Sequence, residues 1–425
     1  VNVGLGNFYR NPEHAPFTNG YLPARHTFDS PTKASIAGLD VEFYPAPSDA
    51  TDSATVWFPQ LKLAINNLLW PVLFNIFAIR GEEYRDPRVL IRGLDELAAL
   101  KPHQLIGAHG PPISGQADIH KCTLDYRDSI QFLWDQTVRC ANRGMTLNEI
   151  IAAIELPAYF KQHYSTRQFY GVVEHHVRQI YTGLFGWFDE DEANLFPLPA
   201  PERSKKLIAG FGGIDRVRQA VDKALAADDY RWAIELASWL VRSERNAQGR
   251  ADAGAAEDRT RLASGLRGVA YTTTAANIRN WCLTRALELD GSTNLDRFRT
   301  HRLQKRELAR RPAVDSVRQL RVLLEPKRTG DWHQTLQINF SDGGATTLTI
   351  RHGVAVPGAD EQPNLTLTVS SEHWFDLLGG KLDLSRAIAD GAVQSPDPDG
   401  VRVFLGCFDL QTVSYTHLRA HETDR

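Results

Sequence analysis

The hydrophobic period of this sequence changes twice along the chain, and each change marks a domain boundary. Before about residue 120, short apolar runs alternate with turns rich in Gly, Pro and Asp. From about 122 to 290, apolar residues recur at helical spacing, and after a helix predicted at 313–325 an alternating strand pattern returns. The sequence therefore predicts a multidomain protein that combines α/β, all-α and α+β parts.

Composition excludes several classes of protein. The chain has 425 residues, of which 42% are hydrophobic and 23% are charged, values ordinary for a soluble globular protein with two or three cores. A net charge of −3 gives no global reason to expect nucleic acid as a partner. Four widely spaced cysteines form no CxxC pair and indicate neither a disulfide framework nor a structural zinc site. The absence of a run of about 18 apolar residues argues against a transmembrane helix.

The segment from Leu63 to Arg80 is apolar but contains several polar side chains. Asn66, Asn67 and Asn75 lie within it, and Arg80 ends it ahead of a glycine. Polar groups of this kind need hydrogen-bond partners if they are buried. The segment is therefore a candidate functional region.

The next segment predicts a helix, a strand and a histidine. Leucines and valines at helical spacing predict a helix over Pro87–Leu100, and the apolar run 104–108 predicts a buried strand. His109 follows in a Gly/Pro turn. The pattern places an imidazole at the rim of a sheet, where α/β proteins usually carry their chemistry.

An acidic loop precedes another predicted strand. Asp49 and Asp52 lie in PSDATDS, and the strand runs from Thr55 to Phe58. Aspartates are common in turns because they hydrogen-bond to their own backbone, and they are also metal ligands. The sequence leaves both roles open for these two residues.

The later part of the chain predicts helices and then a small mixed domain. Residues 168–188 are apolar on more than one side, which predicts burial between domains or subunits. Alternating strands follow residue 330, and VRVFLGCFD at 401–409 predicts a closing strand. Residues 411–425 are polar and aperiodic and are predicted to be a non-native tail outside the fold.

Taken together, these segments resemble an alkyl sulfatase of the metallo-β-lactamase superfamily. Residues 1–120 are similar to the later part of its αββα hydrolase domain. Residues 121–312, with FYGVVEHHVRQIYTGLFGWFD and LIAGFGGIDRVRQA, resemble its helical dimerisation domain, and 313–410 resemble its sterol-carrier-protein-like domain. The three parts in this order make the resemblance specific.

The resemblance implies an enzyme, a cofactor and a partner. It implies a homodimer that uses two zinc ions to hydrolyse alkyl sulfate esters to an alcohol and inorganic sulfate. The family's HxHxDH metal-binding motif does not occur in these 425 residues. The polypeptide is therefore expected to be a fragment that is inactive alone. Any signal peptide would lie upstream of it, so the sequence leaves a cytoplasmic, periplasmic or secreted location open.

Metal ligands carry over from the resemblance to single positions. His109 in GAHGPP matches the later histidine ligand. Asp49 falls near the first acidic ligand, and Asp52 is the alternative to it. Asn67 falls where the family has a second, metal-bridging glutamate, so this contact is altered here.

The sulfate pocket carries over in the same way. Asn75 and Arg80 in FNIFAIRG match the pair that grips the sulfate group, and Tyr170 in FYG matches a catalytic-pocket tyrosine. A guanidinium offers a planar fork of N–H donors to sulfate oxygens, and an amide adds another donor. The chemistry of Arg80 and Asn75 therefore suits an oxyanion.

Two other functions stay open. One is a different hydrolase of the same fold, such as a lactonase, thioesterase or phosphodiesterase, which the change at Asn67 favours. The other is a non-catalytic dimer that binds lipid or surfactant. At single residues, Arg80 could neutralise a helix end and His109 could cap a turn. His175 and His176 are adjacent on a helix and point apart, so packing suits them better than metal binding.

Overall fold

The computed structural model describes most of the chain as two compact units. The units are Val1–Leu295 and Asp296–Arg425. The described residues are 22, 24–69, 76, 84–246, 249–294, 303 and 305–410. Among the described helices, none combines the length and apolar character that crossing a bilayer requires.

The first unit begins with a mixed sheet whose strands follow the chain order. Within the described residues it has six strands, and every neighbouring pair is antiparallel except β4 and β5, which are parallel. The strands are β1 (Thr32–Ile36), β2 (Leu39–Pro45), β3 (Ala54–Phe58), β4 (Leu63–Asn66), β5 (Gln104–Gly107) and β6 (Ile113–Ser114).

Helix α1 (Pro87–Leu100) makes the crossover between the two parallel strands. Asp86 caps its start by accepting a hydrogen bond from the backbone N–H of Arg88, and Pro87 occupies the first helical position. Leu90, Leu94 and Leu97 form its buried face. The structure confirms the helix predicted over these residues and places a strand after it. The predicted burial of that strand is wrong, because within β5 (Gln104–Gly107) Leu105 is buried but Ile106 is 40% exposed.

Four of the helices that follow share one core with the sheet. They are α2 (Gln116–Ala141), α3 (Leu147–Ala153), α4 (Ala158–Gln162) and α5 (Val173–Phe185), and the short helix α6 (Glu192–Leu195) comes after them outside this core. Trp57 and Ala64 from the sheet, Leu94 from α1, Leu133 from α2 and Val177 from α5 belong to this core. The burial of this apolar surface holds the sheet edge against α2 and α5.

A helical layer with its own core completes the first unit. Its helices are α7 (Ala200–Gly210), α8 (Ile214–Ala226), α9 (Tyr230–Arg242), α10 (Ala256–Thr272) and α11 (Ala276–Leu289). Val217, Leu236 and Leu266 lie in its core. Arg218 on α8 binds the buried carboxylate of Asp258 on α10 through two hydrogen bonds of 2.8 Å each, a bidentate pair that fixes the two helices together.

In the part that the structure describes, the second unit is a five-stranded sheet packed against short helices. The strand order is β11-β10-β7-β8-β9, and among these described strands only β10 and β7 are parallel. The strands are β7 (His333–Phe340), β8 (Ala345–Arg351), β9 (Val354–Pro357), β10 (Leu365–Val369) and β11 (Val393–Gln394). The helices are α12 (Lys305–Leu308), α13 (Ala313–Val317), α14 (Ser371–Leu378), α15 (Leu384–Ala389) and α16 (Pro398–Leu405).

The closing strand predicted at 401–409 is wrong, because α16 occupies most of that segment. Asp397 caps the helix by accepting from the backbone N–H of Gly400, and Pro398 follows the cap. Val401, Phe404 and Leu405 then form a buried face at helical spacing. The cap and this face outweigh the alternating pattern of VRVF.

Trp374 provides a test of the second unit's core. It is fully buried, and its indole N–H donates to the Ser316 hydroxyl at 2.8 Å. We expect Ser316→Ala to lower the free energy of unfolding by about 1–3 kcal/mol, because it leaves a buried donor without its partner. Urea denaturation followed by circular dichroism measures the change. In a Trp374→Phe background, which has no indole donor, the same substitution should cost much less, and equal costs in the two backgrounds would contradict this account.

Candidate active site

Three segments of the chain meet at one edge of the first sheet. Asn66 lies opposite Gly107 in the parallel pair β4 and β5, so both strands end at the same edge. Strand β3 runs antiparallel to β4, so the loop before β3 lies at that edge too. The predicted ligands Asp49, Asn67 and His109 stand on these three segments. The register of the sheet therefore explains how residues far apart in sequence come to one place.

Asn66 fixes the end of β4. Its side chain is 2% exposed, and Nδ2 donates to Thr55 Oγ1 at 2.6 Å. Its Oδ1 accepts hydrogen bonds from the backbone N–H groups of Leu68 and Leu69. The backbone N–H of Ala108 donates to the Asn66 carbonyl at 3.1 Å, which ties the end of β5 to the end of β4. The partners expected for a buried asparagine are present.

Asn67 and Asp49 are in direct contact. Asn67 Nδ2 donates one hydrogen bond to Asp49 Oδ1 and another to Ser48 Oγ, and the distance from Nδ2 to Ser48 Oγ is 3.2 Å. Ser48 Oγ in turn lies 2.8 Å from Ser53 Oγ. The acidic loop is thus held against the end of β4 by side-chain hydrogen bonds.

A cavity of about 660 Å³ opens beside this contact. The acidic loop 47–52 forms one wall, and Asp49 and Asp52 both line it. Tyr84, Arg85 and the first turns of α1 form the other wall. The cavity therefore places Asp49, Asp52 and Arg85 around the same concave surface.

Arg85 is a cavity residue that sequence reasoning missed. Arg85 is 8% exposed, and its Nη1 donates a hydrogen bond to the Ile76 carbonyl at 3.0 Å. A buried guanidinium is costly without partners, so this contact has structural weight. In the sequence, Arg85 is a basic residue directly before the Asp-Pro start of α1. It belongs to no periodic pattern, so the sequence alone did not mark it as buried.

Tyr84 packs against α5 over a glycine. A Cβ at Gly183 would lie 1.9 Å from Tyr84 Cε2, so a larger residue there would displace the ring. Partial burial raises the pKa of Tyr84 to about 12, and the phenol is therefore neutral near pH 7. Helix α5 thus supports one wall of the cavity.

The other predicted residues lie in different surroundings. His109 is exposed just beyond β5, and Tyr170 is buried in the segment before α5. The described residues that line the cavity include neither His109 nor Tyr170. Asn75 and Arg80 lie outside the described residues. The roles of all four stay predictions.

The segment that carries Tyr170 is held by the helical layer. The backbone N–H of Ala276 donates to the Phe169 carbonyl at 2.8 Å, and Thr274 Oγ1 donates to the Gln168 carbonyl at 3.0 Å. The turn between α10 and α11 therefore fixes the backbone directly before Tyr170.

The histidines of α5 are packed within the protein. His176 is fully buried, and burial lowers the pKa of the neighbouring His175. This burial agrees with a packing role.

The described residues alone do not fit the pair of zinc ions that the resemblance implies. Within the described ranges, no group of three or more His, Cys, Asp or Glu side chains is placed to hold a metal ion. Asn67 presents an N–H to Asp49, and an amide N–H group is a donor that cannot ligate a cation.

Two family models match the chain. Residues 146–292 match the model described as "Alkyl sulfatase dimerisation", and residues 304–394 match the "SCP-2 sterol transfer family". The first match lies within the first unit and the second within the second unit.

Similar proteins align with most of this chain. A linear primary-alkylsulfatase from Pseudomonas sp. is 32% identical over 428 residues, covering 97% of this chain and 78% of the relative. An (R)-specific secondary-alkylsulfatase from Pseudomonas sp. is 28% identical, covering 91% of this chain and 57% of the relative. The solved structure of a stereoselective inverting sec-alkylsulfatase from Pseudomonas sp. superimposes with a TM-score of 0.73 at 25% identity, covering 90% of this chain and 60% of that one.

Asn66 provides a test of how the sheet edge is held. We expect Asn66→Ala to lower the free energy of unfolding by about 1–3 kcal/mol, because the buried Thr55 hydroxyl and two backbone N–H groups lose their partner. Thermal unfolding measures the change. Gln60→Ala is the matched control, because Gln60 makes its side-chain hydrogen bond to Asp40 at an exposed site. Equal stability losses in the two variants would contradict the role given to Asn66.

Proposed function

Since the chain belongs to the alkylsulfatase family of sulfuric ester hydrolases, we propose that the whole protein hydrolyses alkyl sulfate esters to an alcohol and inorganic sulfate. The observation that carries the proposal is the 32% identity to a linear primary-alkylsulfatase over 97% of this chain. The chain spans 78% of that relative and 60% of the solved sec-alkylsulfatase, so the activity is proposed for the whole protein.

The proposed sulfate site consists of Asn75 and Arg80. A sulfate monoester carries its negative charge on oxygens that accept hydrogen bonds, and a guanidinium fork matches them in geometry and charge. Donors fixed before the reaction stabilise charge on those oxygens in the transition state at little reorganisation cost. In this proposal the two side chains bind the ester and orient it.

The contact between Arg85 and the backbone next to Asn75 supports this proposal. Its guanidinium donates to the carbonyl of Ile76, the residue directly after Asn75. Ile76 is fully buried, so the contact anchors this point of the chain in the core. Arg85 would therefore fix the backbone beside a sulfate-binding residue. Tyr170 would line the same pocket, with its segment held by the turn between α10 and α11.

Family membership also implies dependence on a metal ion. Zinc, and the number of ions, are predictions from the resemblance, with Asp49 and His109 as proposed ligands and Asp52 as the alternative to Asp49. Asp49 and His109 lie on neighbouring segments at the same edge of the sheet.

The second unit, taken by itself, contains a site suited to an apolar chain. It has a cavity of about 320 Å³ with largely apolar walls that include Trp374, Leu378 and Leu405. Arg328, Arg402 and Asp383 also line it, and both arginines are paired with other carboxylates, so its walls match an apolar chain without selecting the charge of a head group. This cavity also favours the second candidate function, a non-catalytic dimer that binds lipid or surfactant.

The proposed partner is a second copy of the chain. The segment matched by the dimerisation model includes exposed aromatic residues, with Trp187 73% exposed and Phe196 97% exposed. Aromatic residues are enriched at protein interfaces, so this exposure supports a homodimer.

The test of the proposed function is sulfate release from dodecyl sulfate by the full-length protein. We expect Arg80→Ala to lower kcat by about 10²–10³-fold, the loss typical of removing one donor that stabilises a developing oxyanion. Arg143→Ala, at an exposed position beyond α2, is the control and should retain the wild-type rate.

Two outcomes would count against the hydrolase proposal. Wild-type turnover in Arg80→Ala would reject the role of Arg80. Binding of dodecyl sulfate without any sulfate release by the wild-type protein would favour the binding-dimer function instead.

A further inference from the structure

Asn67 meets Asp49 with its amide nitrogen. Nδ2 donates to Asp49 Oδ1 and to Ser48 Oγ. An ionised carboxylate can only accept hydrogen bonds, so the nitrogen of the amide must face Asp49 and the oxygen must face elsewhere. The hydrogen-bond network thus sets the orientation of the Asn67 side chain.

A ligand role for Asn67 would require the opposite orientation. Amides bind cations through their oxygen, as carboxylates do. To place Oδ1 beside Asp49 on a shared ion, the amide would have to turn over and lose its hydrogen bonds to Asp49 and Ser48. An amide is also neutral, so it supplies no charge to balance a second divalent ion.

The backbone under Asn67 is also fixed. Asn66 is buried and bonded to Thr55 and to the backbone N–H groups of Leu68 and Leu69. The Asn67 side chain therefore starts from a rigid point and reaches an acidic loop that it holds in place. A group that orients a ligand in this way usually contributes to metal affinity without touching the metal.

We propose that Asn67 is a positioning residue that holds Asp49, and that the site to which Asp49 contributes binds one divalent ion where a carboxylate at position 67 would let it bind two. The proposal rests on the proposed function, because that function makes Asp49 a metal ligand. It assigns Asn67 a role as hydrogen-bond donor in place of the ligand role that its sequence position suggested.

The test counts metal ions in the full-length protein. Wild type, Asn67→Glu, Asn67→Ala and the control Asn142→Glu are stripped with chelator, loaded with Zn²⁺ and freed of excess metal, and zinc per chain is measured by mass spectrometry. We expect Asn67→Glu to hold about one more ion per chain than wild type. Asn142→Glu adds the same charge at an exposed helix end and should match wild type.

Asn67→Ala separates positioning from ligation. We expect it to keep the wild-type ion count and to bind zinc about 10–100-fold more weakly, the loss typical of removing a partner that orients a ligand. Titration against a chromophoric zinc chelator measures this affinity. Circular dichroism of the metal-free variants checks the fold. If Asn67→Glu does not fold, the wild-type count decides between one ion and two, and Asn67→Ala decides the positioning role.

Two results would overturn the proposal. One is an equal ion count in wild type and a folded Asn67→Glu. The other is the loss of an ion in Asn67→Ala, which would make Asn67 a ligand. Alkyl sulfate turnover is assayed separately in the same preparations. Its absence in all of them would reject the proposed substrate, while the ion counts would still decide the role of Asn67.

Discussion

The buried amide of Asn66 is the interaction on which the candidate site depends. Its side chain bonds to Thr55 in β3 and to the backbone beyond β4, and its carbonyl accepts from Ala108 beyond β5. One residue thus joins the ends of three neighbouring strands. Because each strand end leads into a segment with a candidate ligand, the geometry of the site follows from this network. The cost of leaving such groups unpaired in the core keeps the arrangement fixed.

Local signals in the sequence were sufficient for parts of the fold. Helix α1 lies where it was predicted, because an Asp-Pro cap and leucines at helical spacing agree with each other. The strand after it also lies as predicted, and its register places His109 at the sheet edge. The need of a buried asparagine for partners was readable too. Which partners it takes was not, because Thr55 is 11 residues away in sequence and meets Asn66 only through strand pairing.

Where local signals conflicted or were lacking, the sequence was insufficient. VRVFLGCFD satisfies both a strand and a helix period over its few residues, and the Asp397 cap decides for α16. Arg85 belongs to no periodic pattern, and its burial results from tertiary contacts that local sequence does not encode. The contact between Asp49 and Asn67 spans 18 residues and depends on how the acidic loop folds back on β4. The family resemblance placed both residues at one site, but it could not show which atom of the amide faces the carboxylate.

The turn between α10 and α11 connects two parts of the first unit. The Ala276 N–H and the Thr274 hydroxyl hold the carbonyls of Phe169 and Gln168, directly before Tyr170. Any displacement of α11 must therefore move this backbone or break those bonds. The helical layer that the dimerisation model matches is in this way mechanically linked to a segment of the proposed pocket. Were assembly of the proposed homodimer to move α11, it would act on this backbone through these two bonds. Ligand binding would then change the dissociation constant of the dimer by the same factor by which dimer formation changes the affinity for the ligand.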